Sequence, residues 1–568
     1  MLRRGWLTAA VFFIAAGSLF AQATSTISGR VVDQDGAVLP GVTLTVTNTA
    51  TGVTRNTVTN EEGLYSVPAL NPGNYAVRAE LAGFAPQVRE RIELLTGANL
   101  AVELKLSLAS LSETITVSAQ SPLVEATQST VASSIRQTEV VALPMINRSM
   151  AALVTMLPGA REVSGTISAK GASGTWISIG GGGGQNVVMV VDGIDNKEDH
   201  CGGASLSYSL EGIQEFQVFK SGARAEYGRG TASILVATKS GANRVSGSAF
   251  GYYRNQEMVA IDYFSKPENG GVGEPPFKRS QIGGSIGGPI IKDKAFFFGS
   301  TEYIRQDLEL PRAARIYQEL QLLEPLGIGV KATASLPQPA RDLLTQAKVN
   351  FNLSQDQSLF VRYGGQHGRL DNSFGSTGSA LLDYAPVLER NGQKLVNLSP
   401  GWTWIVNPRV VNQVTMQYLT WTHNNEYPAC PLAQGCLIQK LVFPTVSTGP
   451  VSGGGFPNWY NFEDKVQVRN DTSIQAGRHA WKFGVDYAYL PKHGGIYGPG
   501  SPGSITFFHD PSVILSNSNG LYPRGFQTPG IVRSITVSGE PIGNYDSYNN
   551  FTFSGFVRTT CDCRHASR

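Results

Sequence analysis

The chain has 568 residues, length for roughly three to four domains. Only 16% of them are charged, and a formal net charge of +3, from 46 Lys and Arg against 43 Asp and Glu, excludes the basic face of a nucleic-acid binder. A hydrophobic content of 41% excludes wholesale disorder, and outside 1–23 no apolar run reaches the ~18 residues of a spanning helix.

Met1–Ala23 carries Arg3 and Arg4, then an apolar run from Leu7 to Phe20, then Ala21-Gln22-Ala23. This is the pattern of a secretory signal peptide with an A-x-A cleavage site; the alternative is an N-terminal membrane anchor. Beyond it the aromatic content shifts: residues 24–240 hold 8 aromatics and residues 241–568 hold 40. Two kinds of structure therefore meet near residue 240.

Residues 24–108 read as a small β-sandwich. Val42, Leu44 and Val46 alternate with threonines, and Tyr75, Val77, Ala79 and Leu81 alternate with Ala76, Arg78 and Glu80. Leu100, Val102, Leu104 and Leu106 repeat the pattern, and Asp35-Gly36, Glu62-Gly63 and Asn71-Pro72-Gly73 supply turns. About seven short strands with one apolar face fit an Ig-like sandwich. The segments Ile27–Asp33, Leu39–Val42, Asn60–Tyr65 and Gly73–Phe84 resemble the carboxypeptidase regulatory-like domain. The resemblance implies a non-catalytic module of carbohydrate-binding-like, transthyretin-like fold, serving either sugar binding or docking.

Residues 109–240 read as an α/β domain. Glu113–Ala119 forms a short strand, Arg148–Leu157 a helix stopped by Pro158-Gly159, and Val187–Val191 a buried strand running into Asp192-Gly193. Gly180–Gly184 lacks the Lys-Ser/Thr of a phosphate loop and reads as a plain loop. Ile213–Lys220, Ala225–Gly230 with Tyr227-Gly228, and Ile234–Gly241 follow. In this order they resemble the plug domain of TonB-dependent outer-membrane receptors, with Asp192, Gly193, Tyr227 and Gly228 as its signature.

Residues 241–557 read as part of an antiparallel transmembrane β-barrel, about ten strands of it. Trp481, Phe483, Val485, Tyr487 and Tyr489 alternate with Lys482, Gly484, Asp486 and Ala488, one face for lipid and one for a lumen. Similar strands are expected at Val245–Arg254, Lys294–Tyr303, Leu359–Gly364, Gly401–Val406 and Val410–Thr420, with turns at Ser354–Gln357, Asn407-Pro408 and Ala476–His479. Ser240–Arg244, Ser246–Phe250, Pro276–Gly299 and His479–Tyr487 resemble the Oar-like branch of the same transporters. That resemblance implies a signal peptide, sandwich, plug and barrel of about 22 strands in the outer membrane. It further implies partners: lipid, a TonB energy-transducing complex, and an extracellular oligosaccharide, iron chelate or peptide. It implies neither cofactor nor enzymatic activity. Glu113, Thr114, Ile115, Thr116 and Val117 are the candidate TonB-contact segment, against the reading of an ordinary linker strand.

Other motifs carry less. Cys430 and Cys436 are spaced to close a small loop disulfide, in the oxidising compartment the leader implies. Gly283-Gly-Ser-Ile-Gly287 satisfies G-x-S-x-G but is followed by Gly288-Pro289 rather than a helix. His423 and Glu426 satisfy H-x-x-E, the only support for a metallopeptidase, and are expected in a loop. A secreted carbohydrate-binding or adhesive β protein is the remaining alternative. From Arg558 to Arg568 strand alternation is lost and two of the 5 cysteines appear, which we read as the mark of a frameshift. About ten strands would leave a barrel with open edges, which lipid does not tolerate.

Overall fold

The computed structural model describes residues 25–108, 115–117, 132–136, 139, 148–163, 176–179, 186–199, 203–220, 226, 230, 232–261, 263–271, 273–327, 330, 332–371, 390–407, 409–426, 440–448, 459–476, 479–497, 504–536, 543–544 and 548–561. Residues 1–24 lie outside it, as do Gly180–Gly184, Cys201, Tyr227, Gly228, Cys430 and Cys436.

The first layer is the sandwich. Its strands are β1 (Ser25–Val32), β2 (Thr43–Asn48), β3 (Thr54–Val58), β4 (Leu64–Leu70), β5 (Gly73–Glu80), β6 (Gln87–Leu94), β7 (Asn99–Ala101), β8 (Leu104–Lys105) and β9 (Ile115–Val117). One sheet has the order β4-β1-β7 with β8 also on β1, and the other has the order β3-β2-β5-β6-β9. Period-two alternation sends Ile27, Val31, Leu44, Val46, Val77 and Ala79 inward, all fully buried. Each contributes about 1.5–3 kcal/mol on burial, except the smaller Ala79. The strand expected over Leu100–Leu106 is split into β7 and β8, both parallel to β1.

The second layer comprises β10 (Ala132–Arg136), α1 (Met150–Thr155), β11 (Ala160–Val163), β12 (Trp176–Ile179), β13 (Val187–Val191), β14 (Ile194–Asp195), β15 (Ile213–Phe219) and β16 (Ala232–Thr238). Ser149 caps α1 by accepting from the Ala152 amide at 3.1 Å, and Gly159 at φ +83° lies just beyond its end. The sheet order is β10-β15-β16-β13-β14. β16 is buried along its whole length, hence its continuous apolar sequence.

The third layer runs β17 (Ser246–Asn255), β18 (Phe277–Ile291), β19 (Ala295–Pro311), α2 (Ala314–Leu323), β20 (Ser335–Pro337), β21 (Ala340–Asn352), β22 (Gln357–Asp371), β23 (Arg390–Asn407), β24 (Val410–Glu426), β25 (Lys440–Val442), β26 (Ser447–Thr448), β27 (Trp459–Ala476), β28 (His479–Tyr497), β29 (Ser504–Phe507), α3 (Pro511–Ser516), β30 (Val532–Thr536), β31 (Gly543–Asn544) and β32 (Tyr548–Cys561). Ten of these are long and pair antiparallel in chain order: β17, β18, β19, β21, β22, β23, β24, β27, β28 and β32. The sheet is open, with β17 and β32 as its edges among the described residues. The expected strands are present and longer than expected, and Trp481, Tyr487, Ile282 and Tyr303 stand exposed on the outer face. Gln281, Glu302, Arg362 and Lys465 are buried on the inner face, against the plug.

Connections on the two ends differ in length. Residues 292–294 and 353–356 make short turns at one end. The described residues of 256–276, 312–339, 427–458 and 498–547 belong to long connections at the other. Parts of three long connections condense into one module that the sequence did not reveal. Its sheet is β26-β25-β29-β30, with α2 and α3 packed around Leu320, Phe443, Phe507 and Ile514. Glu319 accepts from the Ser512 amide at 2.8 Å and hydroxyl at 2.6 Å, and Asp510 accepts from the Thr445 amide at 2.8 Å. The Phe443 and Phe507 rings stack at 4.5 Å.

Two expectations are corrected. His423 and Glu426 lie on β24, not in a loop, and their odd offset on an extended strand puts the two positions on opposite faces. The last strand does not stop at Val557: Arg558, Thr559, Thr560 and Cys561 continue β32, paired with Lys482, Trp481, Ala480 and His479. Backbone pairing to β28 overrides the loss of side-chain alternation there. Ser285 of the G-x-S-x-G motif lies mid-strand in β18, not on a nucleophile elbow.

Candidate functional site

The candidate functional surface is where the plug meets the inner face of the barrel. Its centre is the Asp192-Gly193 turn. β13 and β14 form a hairpin with Val191 opposite Ile194, so Asp192 and Gly193 are the two loop residues. Their φ values of +47° and +89° are the left-handed pair of a type I′ turn, which Asp-Gly supplies at little cost.

That turn aims the Asp192 carboxylate at the barrel. Arg362 Nη1 of β22 lies 3.1 Å from its Oδ2, and Lys348 Nζ of β21 lies 3.2 Å away. Thr238, at the end of β16, donates its amide at 3.0 Å and its hydroxyl at 2.5 Å to the same carboxylate. Burial pushes the Asp192 carboxyl up, but Lys348, Arg362 and the Thr238 hydrogen bonds outweigh it and hold it below the usual carboxylate range. Arg362 also donates to Ser399 Oγ at 3.2 Å. One plug turn is thus clamped to adjacent barrel strands.

Two further clamps follow along the plug. Lys465 Nζ of β27 lies 2.6 Å from Asp199, 3.5 Å from Asp195 and 3.6 Å from Glu463, and donates to the Lys197 carbonyl at 2.8 Å. Burial pushes the Asp195 carboxyl up to about 6; Lys465 opposes the rise, and Asp199 and Asp486 add to it. Glu226, one residue before the expected Tyr227-Gly228 turn, lies 2.7 Å from Arg558 and 3.8 Å from Lys482. Elsewhere Ser209 donates to Glu302 at 2.5 Å, and Ser207 N donates to Gln366 at 3.0 Å.

At the short-turn end the sandwich closes the assembly. Asn243 Nδ2 donates to the Thr51 carbonyl at 2.8 Å, and Gln214 Nε2 to the Pro72 carbonyl at 3.0 Å. The Glu215 carboxylate accepts from both the amide and the hydroxyl of Thr96. Sandwich, plug and barrel enclose a cavity of about 510 Å3 between them.

The sequence-derived residues fare differently. Asp192 and Gly193 are at the centre of the interface. Ile115, Thr116 and Val117 form β9, a parallel edge strand beside Gln87, Val88 and Arg89 of β6. Glu113, Thr114, Tyr227, Gly228, Cys430 and Cys436 lie outside the described residues. The sequence reading missed Lys348, Arg362, Lys465, Glu226 and Arg558. A signal existed for Lys348: Asp342, Gln346 and Lys348 share one face of β21, interrupted only by Leu344, a mostly polar parity that suits a lumen.

Comparison with known proteins agrees with this architecture. The chain matches the outer membrane beta barrel domain over residues 237–321 and 325–522. It matches the carboxypeptidase regulatory-like domain over 26–107 and the TonB-dependent receptor plug domain over 124–233. It is 27% identical over 301 residues to the TonB-dependent transporter Oar of Myxococcus xanthus, a match covering 50% of this chain and 27% of that one. Similar solved structures include the outer membrane transporter YddB from Escherichia coli (TM-score 0.48, 12% identity, 75% of this chain and 54% of that one). Another is the siderophore receptor PirA from Acinetobacter baumannii (TM-score 0.44, 13% identity, 65% of this chain and 48% of that one). The chain thus spans about a quarter of the curated relative and about half of these solved chains. The barrel match displaces the reading of a secreted soluble β protein. With a regulatory-like sandwich, a TonB-dependent receptor plug domain and an outer membrane beta barrel domain in that order, the chain belongs to the TonB-dependent receptors of the outer membrane.

Proposed function

We propose that this chain forms the plug-bearing part of a transporter that takes up an extracellular ligand with energy from a TonB complex. The clamp of Asp192 on Lys348 and Arg362 carries the reading. A plug held to the lumen wall by buried ion pairs blocks passage until work is done on it. Removing one partner of a buried pair costs about 3–5 kcal/mol, more than thermal motion supplies routinely. The outer membrane has no ATP, so that work arrives as force from the periplasm. Outer-membrane barrels keep short turns on the periplasmic side and long loops outside. The sandwich, on the short-turn end, then faces the periplasm, and the α2–α3 module faces the ligand.

The segment Glu113–Val117 is our candidate handle for that force. Its Ile115–Val117 part is an edge strand among the described residues, and edges accept further strands. An oligosaccharide, an iron chelate and a peptide are all compatible ligands. The sandwich is assigned a docking role at the barrel mouth, and no catalytic role is assigned to any residue.

Deleting Glu113–Val117 in a version whose barrel is closed tests the reading. Energised uptake is expected to vanish while ligand binding at the cell surface persists. Unchanged uptake would overturn the assignment.

A further inference from the structure

The cavity between sandwich, plug and barrel is lined by an arginine with one nitrogen left unpaired. Arg55 of β3 lines it and is only 8% exposed, yet its Nη1 makes no hydrogen bond. A buried guanidinium nitrogen left unpaired costs about 1–3 kcal/mol or more, so such a group calls for an acceptor. The carboxylate that acts on it across the interface, Asp356 in the β21–β22 turn, forms no ion pair with it within 4.0 Å. Lys239 adds a second positive charge to the wall, and Asn48, Asn71 and Asn352 add amide groups. Both carboxylates of the wall have partners of their own. Asp192 is held by Lys348 and Arg362; Glu211 pairs with Arg148 at 3.4 Å, accepts from Ser248 at 2.8 Å, and its charge also reaches Lys239. What the space offers is a wall of net positive charge, with Arg55, Lys239 and Lys348 against Asp192 and Glu211.

We propose that this cavity is a binding site for a small oxyanion, a phosphate or a carboxylate, with Arg55 as its principal ligand and Lys239 as its second charge. A guanidinium presents paired N–H groups that match both anions. The wall draws on all three domains, so the site is complete only when the sandwich is docked. An occupant there adds its binding energy to the docked arrangement. The site lies apart from the extracellular end where transported ligand arrives, so it stands whether or not the chain transports anything.

Isothermal titration calorimetry on the purified chain in detergent tests it, with inorganic phosphate in one arm and succinate in the other, both in chloride buffer. Saturable binding of at least one probe is expected, and the arm that binds identifies the anion class. Arg55→Gln is expected to weaken it about tenfold or more, the loss of a charge-assisted contact. Asp356→Asn, which removes the opposing negative charge and spares the site, is expected to tighten it. Absence of saturable binding of both probes at millimolar concentration overturns the proposal. So does binding that neither substitution changes in a chain whose circular dichroism matches the parent.

Discussion

Arg362 of barrel strand β22 and Asp192 of the plug turn are 170 positions apart in sequence and 3.1 Å apart in space. Both are buried, and Lys348 makes the pair a triad with two cations on one carboxylate. Removing the anion is therefore worse than removing either cation. Asp192→Asn leaves Lys348 and Arg362 facing each other in a dry site, at a cost of about 3–5 kcal/mol in plug docking. Arg362→Met leaves Asp192 still paired to Lys348 and costs about 1–3 kcal/mol. Amide exchange of β13 and β16 measures both. The reverse ranking would overturn this account of the clamp.

The loop that follows responds to pH. The Asp195 carboxyl is pushed up to about 6 in the folded chain from the 3.8 of a free aspartate, so the folded state binds the proton more tightly. Between those two values the folded chain holds more protons than the unfolded one, and stability falls as pH rises through that window. Docking of residues 194–199 is expected to be firmer at pH 5 than at pH 7.5, and Asp195→Asn is expected to remove most of that difference. Exchange rates of these amides at the two pH values provide the check; a loop firmer at pH 7.5 contradicts it.

Arg558 has a role that its neighbourhood in sequence does not suggest. It lies 2.7 Å from Glu226, whose side chain is 1% exposed, while Lys482 is farther at 3.8 Å. Arg558→Gln is expected to loosen this corner of the plug by about 1–2 kcal/mol, Arg558 being partly solvated. Faster exchange near Gly230 and Ala232, with β13 unchanged, is the expected signature.

The long-loop module predicts coupling between distant segments. Glu319 on α2 holds the first turn of α3 through Ser512, and Asp510 holds Thr445 and Arg315. Glu319→Ala is expected to cost about 1–2 kcal/mol and to raise exchange in β25 and β29 as well as α3. Exchange raised in α3 alone would show three independent loops instead of one module.

Much was legible because it depends on local periodicity. Trp481, Phe483, Val485, Tyr487 and Tyr489 announced a lipid-facing strand face through a period of two. Asp192-Gly193 announced a turn, and the structure makes it the loop of a hairpin, because few residue pairs accept two positive φ values. His423 and Glu426 read as a loop because they follow a barrel strand close to Cys430, yet that strand runs on through both of them. Arg558–Cys561 lacks side-chain alternation and still continues the strand, because the backbone ladder to β28 suffices.

By itself the sequence determined most of the long barrel strands, which face of each is apolar and where the chain turns, while its resemblances implied the order of sandwich, plug and barrel. The strands, faces and turns follow from period-two patterning and turn chemistry within a few residues. Only the tertiary structure decided that Lys348 and Arg362 meet Asp192, that Lys465 gathers Asp195 and Asp199, and that Arg55 is buried with a nitrogen unpaired. Alternation says that a polar side chain points inward. It does not say how far along the lumen it sits or what it meets, because that is set by strand register and by the seating of one domain inside another.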